Sequence, residues 1–266
     1  ILFHIFAKNS ADAAAISLGF LAYNVVAFGL QPILGFACDV RPGIPIGKIG
    51  CLLILPALLC GFSRWAALLL GALGNACFHV GGGIDVLKTS GGKMAPGGVF
   101  VSAGALGVGL GTFVGQLAGG AWVLLPLGLL LASLAAQFLL VPKRVPAGPV
   151  CRGVASSLPF ATVAALLLAS VCIRAFAGGL IPMGWKASAF FLLPALVAFA
   201  GKAAGGFSAD RGGARALGVL SLLASVPLLC LAGRTALVPV LGIVLFNMTM
   251  PVTLYALYAR LPDYPG

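Results

Sequence analysis

Gly35-Phe36-Ala37-Cys38-Asp39 and Gly206-Phe207-Ser208-Ala209-Asp210 are two versions of one pentapeptide, each closing a long apolar segment that is followed by arginine and glycine. The match spreads outward at an offset of 170 to 172 residues: His4-Ile5-Phe6 faces Arg174-Ala175-Phe176, Cys60 faces Cys230, Arg64 faces Arg234 and Asn75 faces Asn247. A collinear series across successive apolar segments marks an internal duplication. Duplicated hydrophobic halves are how many secondary transporters are built, because alternating access needs two bundles rocking about a central site. The repeat therefore predicts a transport architecture.

Composition agrees. The chain is 61% hydrophobic and 8% charged, with mean hydropathy +1.14 over 266 residues. A water-soluble globule of that size cannot hide so much apolar surface, and soluble domains carry roughly 25% charged residues. The expected class is an all-α integral membrane protein. Long runs such as Leu52-Leu53-Ile54-Leu55 are apolar on every side, whereas strands of a membrane β-barrel would alternate. There is no glutamate, and the acids are Asp12, Asp39, Asp85, Asp210 and Asp263 against 16 Lys and Arg. The basic residues stand singly or in pairs between apolar spans instead of clustering on one soluble face, which excludes nucleic acid as a partner. The seven cysteines show no CxxC or Cys/His spacing, so they read as small buried hydrophobes, and neither a metal nor a cofactor is expected.

Apolar runs divide the chain into a partial span at 1–8 and spans near 13–38, 46–62, 65–87, 97–115, 120–141, 158–182, 187–209, 216–233 and 236–259. Lysine and arginine fall mostly in alternate loops. Arg41, Lys48, Lys88, Lys93, Lys143, Arg144, Arg152, Arg211, Arg215 and Arg260 lie on one side, and Lys8, Arg64, Lys186 and Arg234 on the other. The richer side is expected to be cytoplasmic. Both pentapeptides then end at the cytoplasmic face, and the two repeats run parallel, related by an axis along the membrane normal. Pro142-Lys143-Arg144-Val145-Pro146-Ala147-Gly148-Pro149 is the one proline-rich, charged connector. It predicts an amino-terminal bundle at 1–141, a cytoplasmic linker at 142–157 and a carboxyl-terminal bundle at 158–266.

Gly206-x-x-x-Asp210-Arg211-Gly212-Gly213-Ala214-Arg215 resembles the signature of the major facilitator superfamily between its second and third helices, and Gly35-x-x-x-Asp39-Val40-Arg41-Pro42-Gly43 is an altered first-half copy. Gly98, Gly107, Gly111 and Gly115 fall on the spacing of that family's fifth-helix antiporter motif, with Thr112 and Gln116 replacing its proline and last glycine. Gly107, Gly111 and Gly115 lie four residues apart and predict one smooth helix-packing face. Gly74-Asn75-Ala76-Cys77-Phe78-His79-Val80-Gly81 is similar to the fourth helix of fosmidomycin-resistance-type exporters, with Val80 where proline is expected. The resemblance covers essentially the whole chain. It implies a twelve-helix fold, of which nine to ten spans are present here, the chain lacking most of helix 1 and helices 11 and 12.

In the motif, the small residue allows close packing, and an aspartate at a helix end can bind basic loop residues or a neighbouring helix's amino terminus. Gly35, Asp39, Arg41, Gly206, Asp210, Arg211 and Arg215 are therefore the expected conformational gate. Polar residues deep in a membrane mark a pathway. Lys202, eight residues before Asp210, lies roughly 12 Å from the helix end, and His79 about 14 Å above Lys88. The counterpart of Lys202 is Gln31, and that of Arg174 is His4. The resemblance implies that the helices carrying Arg174, Lys202, His79, Gln31 and His4 line the central cavity. Asn75 and Asn247, like Asn24 and Gln116, offer hydrogen bonds to substrate or between helices.

With three or four cationic or titratable side chains and no carboxylate at its middle, such a cavity attracts anions. The expected activity is a proton-coupled exporter of a small anionic or polar compound, acting as a monomer in the inner membrane, with histidine carrying the proton. An uptake carrier of the same fold, or a membrane sensor that has lost transport, are the alternatives. An intramembrane enzyme is not expected, because there are no paired carboxylates, no serine or cysteine beside a histidine, and no metal-ligand pair at helical spacing.

Overall fold

The computed structural model describes residues 2, 6–7, 12–59, 63–117, 124–140, 158–180, 192–231 and 237–266, and among them every regular element is a helix. His4, Cys60, Lys186, Arg234 and the linker 142–157 lie outside the described residues, as do the side chains of Gln116 and Arg174.

The helices are α1 (Ala13–Asn24), α2 (Gln31–Val40), α3 (Ile46–Leu59), α4 (Arg64–Thr89), α5 (Ala95–Leu117), α6 (Leu124–Leu139), α7 (Phe160–Leu180), α8 (Leu193–Gly212), α9 (Ala214–Cys230), α10 (Leu237–Asn247) and α11 (Thr249–Tyr258). Four stretches are long and apolar enough to cross a membrane: Ala13–Val40, Arg64–Thr89, Ala95–Gly115 and Val238–Tyr258. Shorter apolar helices include Ile46–Leu59, Leu124–Leu139 and Ala214–Cys230. The chain is thus a helical membrane protein by length and composition. Its apolar skin fits that setting, with Leu139 82% and Val108 72% exposed.

Two of the expected spans carry a local irregularity. The 13–38 run starts on Asp12, whose Oδ1 accepts the Ala14 N–H at 2.9 Å, and then widens into a π-helical turn at Val25–Gly29 before α2 begins. Pro32, in the first turn of α2, has no N–H for the Phe28 carbonyl, and the wider turn absorbs that mismatch. The 236–259 run is split at Met248, three residues before Pro251.

The chain packs as two compact units, one of residues 1–85, 110–146 and 264–266, the other of 86–109 and 147–263. In the first, Ile46, Cys77 and Val80 form a buried cluster with Leu34, Cys38, Leu53, Leu73 and Ile84 around it. α3 and α4 approach backbone to backbone: a Cβ at Gly50 would lie 2.5 Å from the Phe78 nitrogen, and Gly47 sits directly on Gly81. α6 covers α3 through Gln137, whose Nε2 donates to the Cys51 sulfur at 3.1 Å, while Lys48 Nζ stands 4.6 Å from the Phe138 ring centre.

In the second unit, Leu87, Met94, Ala209, Ala214, Tyr255 and Tyr258 form the buried cluster, with Leu217, Val252 and Leu254 packed on it. α10 packs on both α8 and α9. Two pairs of structural details stand 171 residues apart in the sequence. Pro56 inside α3 matches Pro227 inside α9, and the Gly47 contact with Gly81 matches Gly218 beside Val252.

Candidate functional site

α8 ends in the sequence Gly205-Gly206-Phe207-Ser208-Ala209-Asp210-Arg211-Gly212, and the next residue, Gly213, has φ +87°. That left-handed backbone turns the chain directly into α9 and requires glycine. Gly43, four residues after Asp39 where Gly213 is three after Asp210, also has a positive φ, +104°. The glycine that follows the acid in each motif copy thus has a backbone reason.

Asp210 works on the backbone of another helix. Its Oδ1 accepts the Met94 N–H at 2.6 Å and its Oδ2 accepts the Ala95 N–H at 2.9 Å. The first N–H groups of α5 have no partner within their own helix, and a carboxylate there satisfies two of them while meeting the positive end of the helix dipole. Gly206 makes the approach possible, since a Cβ there would stand 2.8 Å from the Ala95 Cα and the Met94 oxygen. Gly98 performs the reciprocal service, because its Cβ would lie 2.8 Å from the Lys202 carbonyl oxygen.

The first copy repeats the arrangement with a different partner. Asp39 Oδ1 accepts the Gly266 N–H at 2.9 Å, and Gly35 lies against the Gly266 backbone so closely that no side chain fits. Gly266 is 171 residues beyond Ala95. The expected gate residues Gly35, Asp39, Gly206 and Asp210 therefore share one device, a carboxylate and a glycine one turn apart seating a stretch of backbone. Arg41, Arg211 and Arg215 are exposed beside it.

The expected pathway residues fall into the two units separately. Gln31, Asn75 and His79 belong to the first unit and Lys202 and Asn247 to the second, all half-buried. Asn75 and His79 lie one turn apart on α4, hence on one face. Three amides are engaged with their own helices: Gln31 Nε2 donates to the Ala27 carbonyl at 2.8 Å, Asn24 Nδ2 to Phe20 at 2.7 Å and Asn247 Nδ2 to Ile243 at 2.9 Å. Each keeps its amide oxygen and a second amide N–H for other use. The Gln31 bond serves the π-helical turn, where ladder carbonyls lose their regular donors.

On α5 the close approaches are made by glycines at the start and middle of the helix. Among the described residues nothing lies within 4 Å of a Cβ placed on Gly107, while Gly97, Gly98 and Gly109 all make close contacts on α5. The tight face of this helix is set by Tyr255 on Gly97, Lys202 and Gly206 on Gly98, and Ala195 on Gly109. Of the cysteines, Cys51 and Cys77 are buried as expected, whereas Cys172 and Cys230 are exposed on helix surfaces. Among the described residues no group of three His, Cys, Asp or Glu side chains could hold a metal ion.

No protein-family model matches this chain, and no curated protein is similar to it.

Proposed function

We propose that this protein is a secondary active membrane transporter of the major facilitator type, exporting a small anionic or polar compound in exchange for protons by alternating access. The observation that carries the reading is the doubled latch. Two Gly-x-x-x-Asp segments, 171 residues apart, each seat backbone on a carboxylate with a glycine beneath, Asp210 taking two N–H groups and Asp39 one. A few such bonds at a helix end hold one arrangement of a helix pair and release it at modest cost, as an alternating-access cycle requires.

Lys202 supports the choice of an anion. It sits mid-way along α8, a helix whose other charges are at its Asp210 end, and a half-buried ammonium is retained in a membrane helix chiefly for function. In this reading Lys202 and Arg174 bind the substrate, His79 and His4 carry or relay the proton, and the latch ends face the cytoplasm.

Reconstitution into liposomes tests the proposal, with counterflow of radiolabelled short carboxylates, inorganic phosphate and alkylphosphonates measured with and without a pH gradient. Saturable counterflow that Lys202→Ala and Arg174→Ala each abolish, with thermal unfolding of the protein unchanged, is the expected result. Absence of counterflow and of anion-dependent thermal stabilisation across the whole panel would overturn it.

A further inference from the structure

α3 begins with a charge in an unfavourable place. Lys48 stands in the first turn of α3, which carries no acidic residue, and the unpaired N–H groups of a helix start already make that end positive. Among the described residues Lys48 forms no ion pair. Its Nζ stands instead 4.6 Å from the ring centre of Phe138, in the last turn of α6.

The chain offers little to neutralise this charge. Asp39, in the same unit, accepts the Gly266 N–H. No acid stands between Asp85 and Asp210, a stretch that contains all of α6, and the next charges after Phe138 in the sequence are Lys143 and Arg144. The missing anion has to come from outside the protein.

The surroundings say what kind of anion fits. A lysine at the end of a membrane helix ordinarily snorkels into water, but Lys48 lies over a ring on the apolar skin: Phe138 is 59% exposed, and Leu139 and Leu140 after it are more exposed still. The ring meets the ammonium on one side, which leaves N–H donors free for oxygen acceptors on the other. Two apolar stripes run away from the pair. Leu52 and Leu59 follow Lys48 at i+4 and i+11 on α3, and Leu131 and Leu124 precede Phe138 at i−7 and i−14 on α6, all four exposed. α6 packs on α3, and Gln137, next to Phe138, donates to Cys51 and ties the two helices together beneath the pair. Lys48 to Leu59 spans about 16 Å of helix, close to half of a hydrocarbon core about 30 Å thick, so the α3 stripe is one leaflet deep.

We propose that α3 and α6 bind one anionic phospholipid, with its phosphate on the Lys48 ammonium and an acyl chain along the leucine stripes, Phe138 holding the ammonium at headgroup level. A zwitterionic lipid brings the same phosphate together with a cation that Lys48 repels, so the site selects by net charge. The residue 171 positions after Lys48 is Val219, which confines the site to the first half. The site needs a bilayer and no transport cycle, so it stands or falls apart from the transporter reading.

Native mass spectrometry of the full chain in detergent, titrated with dioleoyl phosphatidylglycerol or dioleoyl phosphatidylcholine, tests the proposal. One retained phosphatidylglycerol is expected, bound at least about fivefold more tightly than phosphatidylcholine, the factor that one lysine near an anionic lipid supplies. Lys48→Gln should lose about that factor and Lys48→Arg should keep it. Phe138→Leu, which leaves an apolar surface and removes the ring, should weaken binding about two- to threefold. Lys93→Gln, which removes an exposed lysine of the other unit, should change nothing. Thermal unfolding without lipid should match the parent for every variant, and Phe138→Leu serves if Lys48→Gln does not fold. Equal retention of the two lipids would overturn the site. Equal losses from Lys48→Gln and Lys93→Gln would replace it with general attraction to basic residues, and displacement of the lipid by glycerol 3-phosphate, which has the headgroup charge and no chain, would replace it with a site for soluble anions.

Discussion

α4 and the α10–α11 pair correspond in sequence, with Asn75 facing Asn247 and Val80 standing 171 residues before Pro251, yet one is a single helix of 26 residues and the other has a turn residue, Met248, between α10 and α11. The difference lies in one residue type. Valine donates its N–H to the ladder, and proline leaves the carbonyl four residues earlier without a partner. Two segments that correspond in sequence thus form one unbroken rod and one arm with a turn residue at Met248. The latches diverge in parallel: Asp210 takes two N–H groups at the start of α5, and Asp39 takes one from Gly266.

The largest effect should come from imposing the second copy's proline on the first. Val80 is 9% exposed in the cluster with Ile46 and Cys77. Val80→Pro should cost about 3 kcal/mol or more, through the lost backbone bond and the ring's clash in the previous turn. The reverse change, Pro251→Val, should restore the ladder and leave stability within about 1 kcal/mol of the parent. Reversible unfolding in mixed detergent measures both, and equal costs for the two substitutions would erase the contrast between rod and arm.

Next in size is the contrast between a glycine that carries a crossing and one that does not. Gly206→Val would force α8 away from the amino terminus of α5 and should cost about 2–3 kcal/mol by overpacking. Gly107→Val meets open space among the described residues and should fall within about 0.5 kcal/mol of the parent. A large penalty at Gly107 in the same unfolding assay would show that the ladder does serve as a packing face.

Much of this was legible in the sequence, and the parts that were not share a cause. The Gly-x-x-x-Asp repeat announced itself because a small residue and an acid one turn apart are informative at any helix end. The partners it found were not readable, since Asp210 reaches 116 residues back to Met94 and Asp39 reaches 227 residues on to Gly266. Pro32 and Pro251 stood in plain view inside apolar runs, but hydropathy alone reads such runs as continuous. Gln31 and Asn247 are expected substrate ligands because an amide in a membrane helix is costly, and the carbonyl one turn back that each also engages is not revealed by residue type. Gly97, Gly98 and Gly107 are chemically identical, and only the neighbouring helices decide which of them bears a crossing.

Smaller effects should separate the two latches. Asp210→Ala leaves two N–H groups of α5 without their cap and should cost about 1–2 kcal/mol, whereas Asp39→Ala loses one bond and should cost about 0.5–1 kcal/mol. Asp210→Asn keeps one acceptor and should lie between the parent and Asp210→Ala. An ordering in which Asp39→Ala is the more damaging would mean that the first latch, despite its single bond, holds the tighter arrangement.

The smallest expected effect concerns a seam present in only one half. Gln137 donates to Cys51, and the residue 171 positions after Cys51 is Leu222, which has no polar side chain to offer. Interhelical polar contacts in membranes average about 0.6 kcal/mol, because an unfolded chain in the same bilayer also finds partners. Gln137→Leu, Cys51→Ala and the double variant should therefore give a coupling energy near that value, provided the two single changes do not shift α3 on α6. A coupling of several kcal/mol would mark the α3–α6 seam as a rigid element of the first half. A coupling near the expected value leaves Lys48 over Phe138 and the surrounding apolar contacts to hold α6 in place, which makes α6 the element of that unit most readily displaced.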